Sequence, residues 1–355
     1  MIKKTTTLAL GLGLTLALLL FSWRGAAGQT VQAGKSLELI NQLGGTTDVL
    51  YAEGDYVYVN VGQRIVILDV SDPTSPIQAG RSAPLAGWPT GIDVAGDYAY
   101  VTMGSAGLQI LDVSRKTLPI LLGHHDTPGS AEGVYVAGGH AYVADGSEGL
   151  RIVSVADKQH PVWVGDYGTT DARAVWADGD YAYVADGADG LRIIDTGDKG
   201  APTLTGHLDP GVYPVKDVYV AGDYAYLAND SGGLRVVSVV QKDAPDLIGT
   251  ASCVTSAHAE AVHVAGDYAY VACSTSLETL QVFSVADKSN PSKTGGVGIN
   301  EVYDVQAVGD HAFVASGQYG MLSVDVAQKD SPTPAGVVTD RVIMGHAESP
   351  SVSHS

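Results

Sequence analysis

Residues 96–101, Gly-Asp-Tyr-Ala-Tyr-Val, belong to a segment that occurs seven times along this 355-residue chain. Successive copies start 42, 42, 41, 43, 44 and 43 residues apart, at Gly54, Gly96, Gly138, Gly179, Gly222, Gly266 and Gly309. A near-constant period of this length is typical of an array of identical supersecondary units. The fold is therefore predicted from the repeat and not from any single segment.

Each unit contains four short runs rich in Val, Ile, Leu and Tyr, separated by turns such as Gly-Asp, Asp-Gly and Asp-Lys. The second run contains the two tyrosines, and the fourth follows a proline, as in Pro161–Gly165. Runs of this composition, with period-2 alternation, predict β-strands. The predicted first strands are Val49–Ala52, Ile92–Ala95, Val134–Ala137, Val175–Ala177, Val218–Ala221, Val262–Ala265 and Val305–Val308.

Four strands in a unit of about 43 residues predict one blade of a β-propeller. A single four-stranded blade cannot bury both of its faces, whereas seven blades around one axis cover one another. The predicted fold class is therefore all-β, a seven-bladed β-propeller of four-stranded antiparallel blades. A parallel β-helix is the structural alternative, although its coils are usually much shorter than this period.

The segments Gly190–Thr196, GLRIIDT, and Arg64–Pro76, RIVILDVSDPTSP, resemble the LVIVD repeat of bacterial and archaeal cell-surface propellers. The resemblance covers residues 37–336 in seven copies. The complete LDVSDPTSP form occurs at Leu68–Pro76, and later copies drift to forms such as SVADK and VAQKD. The resemblance implies a propeller that is secreted or displayed at the cell surface, without indicating a reaction.

The N-terminus has the three parts of a secretory signal: Lys3 and Lys4, the apolar stretch Leu8–Phe21, and the small residues Ala26-Ala27-Gly28. We predict a signal peptide at 1–28, a short linker at 29–36, the propeller at 37–336 and a disordered tail at 337–355. An uncleaved anchor is the alternative, although about 14 apolar residues are few for a membrane span. The protein is thus expected to be secreted or extracytoplasmic, in the periplasm or at the cell surface, and monomeric.

The start of the propeller also bears on how the ring closes. Residues 37–52 align with the fourth strand and the following first strand of later units, such as Pro161–Ala177. Residues 37–43 are therefore predicted to supply the fourth strand of the last blade. The alternative is that Pro332–Gly336 supplies this strand.

The chain is acidic, with 39 Asp and Glu residues against 20 Lys and Arg. Residues 1–28 hold three of the basic residues and none of the acidic ones, so the remainder has a formal charge of about −22. This charge argues against nucleic acids and anionic membranes as partners, because both are bound by basic patches. It is compatible with cationic or neutral ligands and with a divalent cation such as calcium, while no cofactor is indicated.

Cys253 and Cys273 are the two cysteines of the chain. In the predicted sixth blade, Cys253 lies in the loop before the first strand, and Cys273 ends the second strand, which returns to the same rim. A disulfide is favoured in an exported protein and is predicted here to contribute about 3 kcal/mol to stability. Two free thiols are the alternative.

One aligned position differs from blade to blade, six residues before each repeat glycine. It lies at the rim end of each first strand, where the seven units converge, and ligands commonly bind in such concave mouths. The candidate ligand-binding residues are Asp48, Thr90, Glu132, Arg173, Lys216, Glu260 and Tyr303.

His125, His207 and His258 are weaker candidates, as metal ligands in loops that enter first strands. Asp-Gly segments of the second-to-third-strand loops, such as Asp145-Gly146, contain oxygens that suit calcium, but they are also ordinary turn chemistry. His263, within a first strand, is interpreted as packed.

No catalytic motif is found: the chain lacks a Gly-x-Ser-x-Gly elbow, and its glycine-rich segments lack the helix that phosphate binding needs. The sequence therefore favours a non-catalytic interaction module that binds a protein, glycan or small ligand through its rim and central pocket. The alternatives are a propeller hydrolase or lyase with a central-rim His and carboxylate site, with or without a divalent cation, and a purely architectural domain. Fold alone does not decide among them.

Overall fold

The computed structural model describes residues 46–254, 257–274 and 278–338. Each predicted unit forms one antiparallel sheet of four strands in chain order, and the sheets are numbered here as blades 1 to 7. The strands, four to a blade, are β1 Leu50–Glu53, β2 Tyr56–Val61, β3 Arg64–Asp69, β4 Ile77–Arg81, β5 Gly91–Ala95, β6 Tyr98–Thr102, β7 Leu108–Asp112, β8 Ile120–His125, β9 Gly133–Ala137, β10 His140–Ala144, β11 Leu150–Ser154, β12 Val162–Tyr167, β13 Ala174–Asp178, β14 Tyr181–Ala185, β15 Leu191–Asp195, β16 Thr203–Leu208, β17 Asp217–Ala221, β18 Tyr224–Ala228, β19 Leu234–Ser238, β20 Asp246–Ala251, β21 His258–Ala265, β22 Tyr268–Ser274, β23 Leu280–Ser284, β24 Ser292–Val297, β25 Asp304–Val308, β26 His311–Ala315, β27 Met321–Asp325 and β28 Thr333–Val338.

The first strands of the blades contact one another in a closed circle, in which β25 of blade 7 also contacts β1 of blade 1. These seven inner strands surround the propeller axis. All seven were predicted, and the largest difference is in β21, which begins at His258 and not at Val262. The prediction of an all-β, seven-bladed propeller with four-stranded antiparallel blades is therefore confirmed.

The repeated motif has a turn role and a packing role. Its glycine joins the first and second strands with a positive φ, 61° at Gly96, a conformation that a β-carbon disfavours. The second aromatic residue of the motif is fully or almost fully buried in every blade: Tyr58, Tyr100, Tyr142, Tyr183, Tyr226, Tyr270 and Phe313. The motif is therefore repeated for structural reasons.

A lysine in the turn after each third strand, from blade 2 onward, lies over tyrosines of the preceding blade. Its ammonium group is 5.0–5.9 Å from a ring centroid and also donates to a carbonyl of its own turn, as Lys242 does to Val239 at 2.7 Å. Such cation–π contacts are worth about 0.5–2 kcal/mol each. The lysines are Lys116, Lys158, Lys199, Lys242, Lys288 and Lys329.

The seam between blades 7 and 1 replaces both partners of this contact. Pro73 stands in blade 1 where later blades have lysine, and blade 7 has Phe313 where every other blade has a buried tyrosine, together with His311 at a position that is tyrosine in all other blades except blade 3. The seam is held instead by hydrogen bonds: the Leu50 N–H donates to Asp304 Oδ2 at 2.9 Å, and Thr47 pairs with Gly317.

Blade 7 corrects the prediction about ring closure. Its fourth strand is β28, Thr333–Val338, which pairs with β27, as in the alternative prediction. The physical reason is that the turn after β27 and the bulge in β28 repeat those of the other blades, so this chain segment already occupies the edge. Residues 1–36 and 37–43 lie outside the described residues, as does the chain beyond Val338. The tail was predicted to start at 337, and this position falls within β28.

The predicted pairing of Cys253 with Cys273 is confirmed: the two residues form a disulfide, with their Cα atoms 6.2 Å apart. Disulfides persist in oxidising compartments, so the bond indicates an extracytoplasmic protein. In the part of the chain that the structure describes, no helix is long and apolar enough to cross a membrane.

Candidate functional site

The inner strands surround a cavity of about 480 Å³. The seven candidate residues at the variable position all line it, at or near the start of each inner strand: Asp48, Thr90, Glu132, Arg173, Lys216, Glu260 and Tyr303. A cavity of this volume is within the range of small-molecule sites.

Both cations among these rim residues are paired with carboxylates. Lys216 Nζ lies 2.7 Å from Glu260 Oε2 and 3.0 Å from Asp230 Oδ2. Arg173 pairs with Asp171 of its own loop, at 2.7 Å. The structure therefore brings Lys216 and Glu260 together and directs Arg173 to a partner that the sequence did not indicate.

The other rim residues make weaker or local contacts. Glu132 Oε1 accepts a hydrogen bond from Ser130 Oγ at 2.6 Å, and Thr90 Oγ1 donates to a backbone carbonyl of blade 3 at 2.6 Å. The Tyr303 hydroxyl lies 3.4 Å from a neighbouring glutamate. The carboxylate of Asp48 has no ion-pair partner among the described residues.

Blade 5 breaks the repeat beside Lys216. Blades 3 and 4 have Asp-Gly in the turn between the second and third strands, whereas blade 5 has Asn229-Asp230. Asp230 has a φ of 42°, and in the described part of the chain it is the one residue other than glycine with a positive φ. This conformation costs an L-residue about 1–2 kcal/mol, and such strain clusters at functional sites.

The Asp230 carboxylate gathers several donors. Oδ1 accepts hydrogen bonds from the Ser231 hydroxyl at 2.9 Å and from Nδ1 of His258, and Oδ2 pairs with Lys216. Although partial burial raises the pKa of the Asp230 carboxyl, hydrogen bonds from His258, Lys216 and Ser231 outweigh burial and hold the pKa well below its usual range. We call Lys216, Asp230, Ser231, His258, Glu260 and Ser274 the Asp230 cluster.

This arrangement is not a serine-protease-like triad. Ser231 Oγ lies 3.0 Å from His258 Nδ1, which is the same ring nitrogen that faces Asp230. A triad needs the nucleophile and the carboxylate on different ring nitrogens. The geometry is instead an Asp–His pair that fixes the imidazole, whose side chain is 41% exposed.

Blade 6 is also modified at this point. Its inner strand β21 has eight residues, and a register shift between Ala259 and Ala261 leaves Glu260 as an extra residue. Glu260 Oε1 accepts a hydrogen bond from Ser274 Oγ at 2.6 Å. The disulfide joins Cys253 to Cys273, which lies next to Ser274, so it constrains the end of β22 that carries Ser274. Strain, bulge and disulfide thus converge on the Asp230 cluster.

The Asp-Gly turns of blades 3 and 4 have a structural role, as the sequence favoured. Asp145 and Asp186 are fully buried. Asp186 Oδ1 accepts from the backbone N–H groups of Thr170 and Asp171, and its other oxygen pairs with Arg192. Each carboxylate thus holds the loop that enters its own blade from the preceding one.

Below the rim, three buried carboxyl groups join neighbouring inner strands. Each accepts one hydrogen bond from a backbone N–H of its own strand and one from a backbone N–H of the next blade in the ring. The donors of the next blade are Val136 to Asp93 at 2.6 Å, Val262 to Asp217 at 2.9 Å and Leu50 to Asp304 at 2.9 Å. Burial is the main cause that raises their pKa values, to about 7 for Asp93, about 6 for Asp217 and about 7 for Asp304.

Aromatic rings form part of the cavity wall. The rings of Tyr135 and Trp176 have centroids 4.4 Å apart, as do those of Trp176 and Tyr219, and His263 follows at 4.8 Å. These four residues, one each from blades 3 to 6, are called the aromatic arc. His263 Nδ1 accepts the Ala307 N–H at 3.3 Å, which agrees with its predicted packed role.

The LVIVD repeat family matches this chain in seven copies, at residues 44–83, 86–127, 128–169, 170–209, 214–252, 256–299 and 300–340. The chain belongs to the LVIVD repeat family. Each matched copy contains one of the seven blades, so this LVIVD propeller has one repeat per blade. Comparison with curated proteins gives no significant match.

Solved structures with a similar fold have little sequence in common with this LVIVD propeller. The computationally designed Ika8 protein is 7% identical, with a TM-score of 0.64, covering 85% of this chain and 92% of its own. The Cps50 (Swd1) β-propeller domain of Myceliophteria thermophila is 12% identical, with a TM-score of 0.64 and coverage of 76% and 92%. A putative 6-phosphogluconolactonase from Bacteroides uniformis is 16% identical, with a TM-score of 0.65 and coverage of 80% and 92%. These likenesses show the fold alone.

The three candidate metal-binding histidines do not come together in the LVIVD propeller. His125 and His207 lie in outer strands of blades 2 and 4, not in loops entering inner strands as predicted, whereas His258 begins an inner strand of blade 6. His207 Nε2 lies 2.6 Å from a backbone carbonyl. Among the described residues, no group of three or more His, Cys, Asp or Glu side chains has an arrangement that could hold a metal ion.

The buried carboxyls predict how stability depends on pH. Their folded-state pKa values lie above 3.8, so the folded state binds protons more tightly and is stabilised as pH falls through about 7. His263 acts oppositely, because burial lowers its pKa to about 4 and its contribution to stability is lost as pH falls below 6.5. We expect the melting temperature to rise from pH 8 to pH 6 and this rise to be smaller in Asp304→Asn. A flat or falling profile in the wild type would contradict this assignment.

The sequence found the rim position but missed the residues behind it. The loops between the second and third strands have the composition of ordinary turns, and the replacement of their glycine by Asp230 in blade 5 is the visible signal of a difference. A second informative position lies three residues before each repeat glycine; it holds Tyr51, Asp93, Tyr135, Trp176, Tyr219, His263 and Gln306. The hydrogen bonds of Asp217 and Asp304 between blades had no signal in the sequence.

Proposed function

We propose that this protein is an exported binding module whose central cavity takes a small molecule or the end group of a larger chain, with the Asp230 cluster as its main polar contact. The observation that carries the proposal is Asp230, a strained aspartate at a turn position where blades 3 and 4 have glycine. Glycine would form this turn with less backbone strain, so the turn itself does not explain a carboxylate at this position. Its interactions with Lys216 and His258 instead pre-organise a polar group beside the cavity.

Three further features support this proposal. Lys216 and Glu260 belong to the cluster and also line the cavity. The disulfide and the bulge of β21 lie directly beside the cluster, and such cross-links lower the entropy that binding would cost. The seven rim positions hold six different residue types, whereas an architectural ring of identical blades would need no such variation.

Binding can be tested with glycan arrays and a small-molecule thermal-shift library, using the wild type and a His258→Gln/Glu260→Gln variant. We expect ligands found with the wild type to bind the variant at least tenfold more weakly, because two polar contacts are removed. The matched control is Glu148→Gln on the same rim, where the carboxylate pairs with Arg151 and does not line the cavity. Equal binding by wild type and double variant would exclude the Asp230 cluster.

A hydrolase or lyase is the second candidate, and the Asp230–His258 pair favours it. A carboxylate that fixes one ring nitrogen leaves the other as a general base. Hydrolysis of p-nitrophenyl esters or glycosides, or cleavage of a uronate polymer, should then be lost in His258→Gln. The absence of turnover by the wild type would leave the binding function.

A further inference from the structure

The aromatic arc and the carboxyl groups of the cavity indicate what class of ligand fits it. Six carboxylic side chains line the cavity: Asp48, Asp93, Glu132, Asp217, Glu260 and Asp304. The lining cations in the described chain are Arg173 and Lys216, and both are paired with carboxylates. The wall is therefore electronegative, and an anionic ligand would meet repulsion.

The aligned position three residues before the repeat glycine forms one layer of this wall. Five of its seven residues have rings, and Tyr51, Trp176 and His263 are among those that line the cavity. The face of an aromatic ring is negative, and an ammonium group within about 6 Å of its centroid is attracted by about 0.5–2 kcal/mol. Four successive rings 4.4–4.8 Å apart give such a group a continuous surface.

Asp93 occupies the same layer in blade 2, between Tyr51 and Tyr135. Its side chain lines the cavity, is 6% exposed, and has no cationic partner among the described residues. Its Oδ2 accepts the N–H of Val136, the residue after Tyr135, at 2.6 Å, so the carboxyl group lies against the strand that carries the first ring of the arc. A buried carboxylate that has no cationic partner and lies beside aromatic rings is complementary in charge and polarity to an organic cation.

We propose that the cavity binds an organic cation, with its ammonium group held between the aromatic arc and Asp93. This inference rests on the proposed binding function and names the ligand class for the same cavity. A neutral sugar would also stack on aromatic rings and donate hydrogen bonds, but it would leave the charge of the Asp93 carboxylate, whose hydrogen bonds come from backbone N–H groups, without a counter-charge. The charge of the ligand is therefore the property to test.

The probes are choline and 3,3-dimethylbutan-1-ol, which has the same shape and lacks the charge. Titration into the wild type by NMR or calorimetry should give millimolar or tighter binding of choline and at least tenfold weaker binding of the neutral analogue. Trp176→Leu should weaken choline binding at least tenfold, whereas the matched Trp163→Leu, on an exposed outer strand, should leave it unchanged. The wild-type comparison of the two probes stands even if Trp176→Leu does not fold.

Equal affinity for the two probes, or no binding of choline up to 100 mM, would overturn the organic-cation inference. The proposed function has a separate test, because the arrays and the library include neutral sugars and anions. If a neutral ligand binds through His258 and Glu260 while choline does not, the binding function stands and the cation inference fails. If no ligand of any class binds, both fail.

Discussion

Gly206→Ala is expected to destabilise the protein by about 3 kcal/mol, which lowers its melting temperature by roughly 5–10 °C. Gly206 lies at the bulge of the fourth strand of blade 4, where a β-carbon would be 2.0 Å from the backbone carbonyl oxygen of Lys242 in blade 5. Neither partner can move freely, because this lysine is anchored on Tyr181 and Tyr183 of blade 4.

Every pair of neighbouring blades has the same close contact between a glycine of the fourth strand and a backbone carbonyl of the next blade, so this prediction tests how the blades are held together. In blades 1 to 6, a β-carbon added to the fourth-strand glycine would lie 2.0–2.4 Å from the backbone carbonyl oxygen of the lysine in the next blade. In blade 7 it would lie 2.7 Å from the carbonyl oxygen of Pro73 in blade 1. The control is Gly168→Ala, where the β-carbon would meet nothing within 4 Å and stability should change by less than 1 kcal/mol. Thermal and urea unfolding measure both variants. Equal stability of the two would refute the proposed packing.

Asp230→Gly is the second prediction with a large effect, and it acts on binding. The variant restores the glycine found at the equivalent position in blades 2, 3, 4 and 7, where φ is 50–57°. It relieves about 1 kcal/mol of backbone strain and removes the carboxylate that orients His258 and Lys216. Lys216 keeps its pair with Glu260, so the loss of ionic contacts is partial. We therefore expect equal or slightly higher stability together with at least tenfold weaker ligand binding.

Asp230→Asn separates charge from conformation. Asparagine tolerates a positive φ, so this variant keeps the turn and removes the negative charge. If charge is what matters, Asp230→Asn and Asp230→Gly should lose binding alike. Retained binding in Asp230→Asn would assign the effect to hydrogen bonding by the side-chain oxygen.

The fold could be predicted from the sequence because every blade packs against its neighbours with the same kinds of residue at the same positions. The repeat glycine, the buried tyrosine and the lysine turn recur at fixed spacing, and each has a local physical cause. Ring closure was predicted wrongly because residues 37–43 and the segment ending at Gly336 have similar patterns. The turn after β27 and the bulge of β28, which repeat those of the other blades, decide between the two segments, whereas the composition of the strands alone does not.

The candidate site could be predicted only in part. Alignment on the repeat glycine identified the rim, since the aligned position carries charges of both signs, among them Lys216 and Glu260. It did not identify Asp230, which lies on another strand connection and approaches Lys216 only when β17 and β18 of blade 5 pair. The pairing of Arg173 with Asp171 was missed because it depends on side-chain direction within a loop.

The central claim is that function lies where blades 5 and 6 depart from the repeat. The most direct measurement is a thermal-shift screen of the wild type and Asp230→Gly against the same ligand library, with each melting temperature also recorded without ligand. We predict that the variant alone melts at the same temperature or up to about 2 °C higher, and that it loses the ligand-induced shifts seen with the wild type. A variant that melts several degrees lower and keeps those shifts would contradict the account, because Asp230 would then be a structural residue.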